Sequence, residues 1–198
     1  MFLMQDAVDY FREHEGVVSY MYLDVVGLVT VGVGFMIPDP GSAAQLNLVQ
    51  RGTTTPATAA QKQQEWQTVH SQIKARPASF YKQFTTLDMT DAEINAGLAV
   101  RIQNFVVNLR QRFPQFDSFP APAQLGLLDM IYSLGPRGLF TGYPKFCKAV
   151  DKQDWNTCAK EGVRRNVSAS RNQDLAQLFL DAAAQPLPQP GADAIGAG

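Results

Sequence analysis

Apolar positions along the chain fall into a few distinct rhythms. Leu3, Met4, Ala7, Val8 and Phe11 recur at helical spacing and predict a first helix over residues 1–15. Gly16 then stands where a helix commonly ends in a left-handed residue. From 17 to 36 the period changes to two. A β-like run, Tyr20-Met21-Tyr22-Leu23, is followed by the turn Val25-Val26-Gly27. In the return strand Val29, Val31 and Val33 alternate with Thr30, Gly32 and Gly34. Residues 37–57, rich in Pro, Gly and Thr, read as a long loop with a single helical turn at Ala43–Leu48. That loop is open to three readings: a cleft lip, a partner-binding insertion or a plain surface connection.

Longer helices follow. Thr58-x-x-Gln61 is a capping box opening a helix to about Ala75, with Trp66, Val69 and Ile73 on one face. Thr90-x-x-Glu93 opens a second, running to about Arg112 on Ile94, Leu98, Ile102, Phe105 and Leu109. Residues 122–134 form the most apolar helix, capped by Gly135. Pro144 opens a helix ending near Val150, Asp154 caps the next, and Ser168 or Ser170 caps a last one to Ala184. The tail, 185–198, is too polar and small-residue-rich to bury itself and is expected to be disordered.

The 198 residues suit one domain, 1–184, able to bury a sizeable core. A sheet lobe of about 12–90 and a helical lobe of about 1–11 and 91–184 are expected, in a mainly α (α+β) fold. The net charge of −1 leaves no broad basic field, which argues against a nucleic-acid binder held by phosphates. No basic n-region precedes an apolar core, so no signal peptide is read, and no run is long enough to span a membrane. Two cysteines, Cys147 and Cys158, make no disulfide framework; they read as reduced thiols packed as small hydrophobes, on neighbouring helices that could approach. His70 has no second His or Cys at ligand spacing and reads as a surface or packing histidine, His14 is next to Glu15 but should point to another face of the helix, and no metal site is expected.

Three polar side chains stand out in the Glu15–Gly34 stretch: Glu15, Asp24 and Thr30. The negative end of the helix dipole and partial burial would both raise the pKa of Glu15. Asp24, in a turn open to water, would stay ionised. Thr30, placed roughly opposite Asp24 across the hairpin, could help hold a water on that carboxylate. Two carboxyl groups with separated pKa values are what glycosidic cleavage needs. Taken alone, an acid at a helix end and an acid in a turn are ordinary solvated residues.

The pattern Glu-Gly, Tyr-x-Asp, Gly-x-x-Thr-x-Gly-x-Gly resembles the signature of the phage-type lysozymes, glycoside hydrolase family 24. There Glu, eight residues, Asp, five residues and Thr make the triad, the spacing of Glu15, Asp24 and Thr30 here. The likeness extends over about residues 5–182, with a divergent middle from 37 to 90. It implies a lysozyme-like two-lobed fold with a small sheet lobe, a larger helical lobe and a long joining helix. It also implies a peptidoglycan muramidase needing no cofactor. Gly34, Phe35, Tyr132, Ser133 and Arg171 fall on its substrate-binding positions. Tyr132 also reads as a core residue, and Arg171 as an exposed charge at a helix start. The chain departs from the pattern at Phe35, where many members have His, and at Asn172, where a second basic residue is common. With Glu65-Trp66 and Asp154-Trp155, it looks closer to the pesticin-like and type VI secretion-associated muramidase toxins. Such a protein would be a monomer made in the cytoplasm and delivered by a secretion system or a holin. It would act on glycan strands in the periplasm, and a cognate immunity protein would be a partner. A phage endolysin and a catalytically inactive wall-binding module are the rival readings.

Overall fold

The structure, a computed structural model, describes residues 4–165 and 167–185. The chain is mainly helical with small antiparallel sheets, an α+β fold. Its order is α1 (Met4–Glu15), β1 (Val18–Leu23), β2 (Val29–Gly32), β3 (Phe35–Met36), α2 (Pro40–Ala44), β4 (Leu48–Gln50), α3 (Ala59–His70) and α4 (Ala78–Tyr81). Then come β5 (Leu87–Met89), α5 (Asp91–Arg112), α6 (Ala121–Gly142), α7 (Pro144–Asp151), α8 (Trp155–Glu161) and α9 (Ala169–Ala183). Residues 8–100 form one compact unit; among the described residues, 4–7 with those from 101 to 185 form another. The tail from 186 lies outside the described residues.

In the 8–100 unit, β1, β2 and β3 make a three-stranded antiparallel sheet with β2 in the middle. Every residue of β2 is buried, which accounts for its near-continuous Val and small-residue composition. The capping box at Thr58 and Gln61 forms as the sequence indicates, and α3 buries Trp66 and Val69. The Trp66 indole donates to the Ile37 carbonyl at 2.9 Å, so the burial of that ring leaves no donor unsatisfied. The helix stops at His70, so Ile73 is 65% exposed rather than on its buried face.

The 37–57 stretch is more ordered than a loop. Asp39 caps α2, accepting from the Ser42 N–H at 2.8 Å. Beyond it β4 pairs with β5 as Leu48↔Met89, Val49↔Asp88 and Gln50↔Leu87. Arg51 fastens this ribbon, donating to Asp88 Oδ2 at 3.1 Å and to the Thr85 carbonyl at 2.8 Å.

In the other unit α9 packs on α6 and α8. The core holds Leu127, Leu128, Ile131, Phe146, Trp155 and Phe179. Gly135 does not end the helical run. It breaks α6 with φ 68° and ψ 166°, a conformation that suits glycine, and Pro136 restarts the helix beyond it. Asp154 and Ser168 cap α8 and α9 as expected. Cys147 and Cys158 are free and buried, and burial pushes the Cys158 thiol up to about 12. No helix among the described residues is long and apolar enough to cross a membrane.

Candidate active site

Glu15 is the last residue of α1, and Gly16 follows with φ 71°. The carboxylate is exposed, so the partial burial expected for it is absent. The helix ends there because Gly16 takes the left-handed position and the chain turns directly into β1.

Between Glu15 and Asp24 lies β1, whose ladder is irregular. Val18 pairs with Gly32 and Tyr22 with Thr30, so four residue steps on β1 face two on β2. Measured along β2, this draws the helix end about 7 Å nearer the hairpin loop than a regular ladder would leave it.

At the loop, Asp24 N–H donates to the Leu28 carbonyl at 2.9 Å and Gly27 N–H to the Asp24 carbonyl at 3.0 Å. Gly27 has φ 88°. This is the three-residue hairpin connection that ends in a left-handed glycine. Asp24 Oδ1 accepts from the N–H groups of Val26 and Leu28, at 3.0 and 2.8 Å. Those bonds tie Oδ1 to the loop backbone.

Thr30 does not face Asp24. Asp24 closes on Leu28, so Thr30 pairs with Tyr22 on one side and Met36 on the other. Asp24 and Thr30 are diagonal neighbours on one sheet face, a spacing of about 7–8 Å between backbones. Thr30 is 3% exposed, and its hydroxyl donates to the Leu28 carbonyl at 3.1 Å. With its proton so used, its oxygen is left to accept.

Phe35 begins β3, and its ring lies against two glycines. A Cβ on Gly32 would meet it at 2.8 Å and one on Gly97 at 3.0 Å. Gly34, just before it, is exposed with φ 85°.

The other three candidates belong to the second unit. Arg101 Nη1 donates to the Tyr132 hydroxyl at 3.2 Å, and the half-buried Tyr132 ring stands edge-on to Phe105. Ser133 Oγ accepts from Arg164 Nη1 at 2.7 Å. Arg171 Nη2 donates to Asp129 Oδ1 at 2.6 Å, and Arg164 Nη2 to Asp129 Oδ2 at 2.8 Å. Asp129 and Arg164 went unread in the sequence. An acid within the apolar run Leu127-Leu128-Asp129-Met130-Ile131 was the available signal.

Glu65 is a second buried carboxylate. Only 6% exposed, it accepts through Oε2 from the N–H groups of Thr86 and Leu87, at 2.6 and 3.1 Å. Its Oε1 has no hydrogen-bond partner among the described residues. Desolvation outweighs these bonds and raises its pKa above the ordinary 4.5. The folded chain therefore holds this proton more tightly than the unfolded chain does. Its contribution to stability is full at low pH and is lost as pH rises from 4.5 through the folded value. Glu65→Gln should thus gain on the wild type as pH rises across that window in urea titrations. Parallel stability curves would show that the carboxyl does not titrate there.

Among the described residues, no group of three or more His, Cys, Asp or Glu side chains is gathered to hold a metal ion. No protein-family model matches the chain, and no curated protein matches it.

Proposed function

We propose that this chain is a lysozyme-like, two-lobed muramidase that hydrolyses the β-1,4 bond between N-acetylmuramic acid and N-acetylglucosamine in peptidoglycan. Glu15 protonates the departing glycosidic oxygen. Asp24, through its Oδ2, takes a proton from the attacking water, which the Thr30 oxygen helps to position. The bond from the muramyl anomeric carbon to the leaving oxygen breaks as the bond to water forms on the opposite face. Inversion follows, and calls for carboxyl groups about 6.5–9.5 Å apart. No cofactor enters the scheme.

The observation that carries this reading is the arrangement of one helix end, one hairpin loop and one middle strand within a single small sheet. The bulge in β1 shortens the path from Glu15 to the loop. The loop's own N–H groups orient Asp24, and the Thr30 hydroxyl is committed as a donor. An exposed Glu15 also suits a polymer, whose glycosidic oxygen must reach the acid from outside. The biological setting proposed is an antibacterial effector, monomeric, acting in a rival's periplasm and held in check by an immunity protein.

The test is the product. Purified protein incubated with peptidoglycan should release fragments with N-acetylmuramic acid at the reducing end, first as the α-anomer in NMR. Reducing-end N-acetylglucosamine, cleaved peptides or no release at all would reject the reading.

A further inference from the structure

The tip of the β1–β2 hairpin carries side chains that the fold does not use. Val25 is 90% exposed, Val26 66% and Leu28 43%. Val25 and Val26 are the two central residues of the turn that Asp24 and Gly27 close. Such positions favour Pro, Asp, Asn, Ser or Gly, and a β-branched apolar pair contributes nothing to the turn itself. The loop is nevertheless pinned, because Asp24 Oδ1 accepts two of its backbone N–H groups. The valines are held out into water by a closed turn.

A second segment widens the patch. Gly27 lies against the Lys74 methylenes, where a Cβ would sit 2.6 Å from Cδ. Ile73, next in the chain, is 65% exposed. Four aliphatic side chains on two adjoining segments thus face solvent. Single exposed aliphatics are common on protein surfaces, whereas clusters mark interaction sites.

The charge beside them has one sign. Residues 71–87 carry Lys74, Arg76 and Lys82 and no Asp or Glu, in a chain whose net charge is −1. All three cations are exposed. Tyr81 donates to the Ile73 carbonyl at 2.8 Å, and α4 packs against β1, so this segment lies along the strand that leads to the tip. Of the nearby acids, Asp88 is paired with Arg51 at 3.1 Å and Asp24 has Oδ1 engaged in the loop.

We infer that this tip docks on an anionic lipid surface. Val25, Val26, Leu28 and Ile73 enter the interfacial zone, and Lys74, Arg76 and Lys82 meet the headgroup phosphates. A soluble polyanion would match the cations but give the aliphatic side chains no apolar phase. A neutral bilayer would do the reverse. Of these three, the anionic bilayer satisfies both. The inference stands apart from the glycosidase reading, since it needs neither Glu15 nor Asp24 to be catalytic.

Flotation of the full chain with vesicles tests it. Vesicles of phosphatidylglycerol and phosphatidylethanolamine should carry the protein, and added salt should release it as the charges are screened. Phosphatidylcholine vesicles should bind it at least about tenfold more weakly, since each cation is worth roughly a factor of five at an anionic surface. Val25→Asn/Val26→Asn and Lys74→Gln/Arg76→Gln should each lower binding about tenfold or more, with circular dichroism and melting checked for an unchanged fold. A wild-type chain left in the aqueous fraction would overturn the inference. So would a Val25→Asn/Val26→Asn variant that floats like wild type, or a chain that binds soluble polyphosphate but not vesicles.

Discussion

Glu15→Gln is expected to lower the initial rate of peptidoglycan hydrolysis by about 10²–10⁴-fold, the usual worth of a positioned general acid. The substitution keeps the size of the side chain and one carbonyl oxygen, and replaces the ionisable carboxyl oxygen by an amide NH2 that cannot serve as the acid. Glu15 is exposed at the end of α1 and Gln matches its volume, so the substitution opens no cavity in the core and the chain should still fold. A rate loss with intact folding separates chemistry from stability. A second substrate sharpens the result. With a leaving group that departs without a proton, the Glu15→Gln deficit should shrink, whereas the Asp24→Asn deficit should persist. Dye release from labelled peptidoglycan reads the first effect, and an activated aryl glycoside reads the second. A Glu15→Gln chain within tenfold of wild type on peptidoglycan would remove Glu15 from the role of acid.

The parts of this site that local chemistry writes were legible in the sequence. The helix before Glu15, the left-handed Gly16, the hairpin and its apolar middle strand all follow from short-range pattern and turn residues. Pairing was harder, because register depends on where the loop closes. The three-residue loop closes on Asp24 and Leu28, and this sets Thr30 against Tyr22 instead of Asp24. The extra residues in β1 are a further long-range matter, with no mark in the sequence. The β4–β5 ribbon was missed for a related reason. Each strand is three residues long, too short to show a period, and its partner lies far along the chain. Glu65, Asp129 and Arg164 show the limit from the other side. Each is charged, and polarity alone suggests a surface position; each is buried because distant backbone or an opposite charge receives it. Arg164 is the clearest case, since it sits outside any regular element and is only 2% exposed.

The buried cluster around Asp129 leads to the largest expected change in stability. Asp129 is fully buried, and its two oxygens are divided between Arg164, also buried, and Arg171, whose side chain is 15% exposed. Asp129→Ala would leave the Arg164 guanidinium in the core without its counter-charge, a situation that costs about 3–5 kcal/mol. Whole domains are stable by only about 5–15 kcal/mol, so this variant should melt far below wild type or accumulate as insoluble protein. The pair itself need not be strongly stabilising, because bringing both charges out of water is costly. Asp129→Leu combined with Arg164→Met should therefore recover much of the loss, with Arg171 free to turn outward from its partly exposed position. That non-additivity is the mark of a buried ion pair, and urea titration of Asp129→Leu, Arg164→Met and the double variant measures it. Arg164 holds Ser133, and Asp129 holds Arg171, so the same substitution unpins two residues that only the likeness to the phage-type lysozymes assigns to substrate binding. An Asp129→Ala chain as stable as wild type would mean that Arg164 finds water or another acceptor, and that Ser133 and Arg171 are positioned by something else.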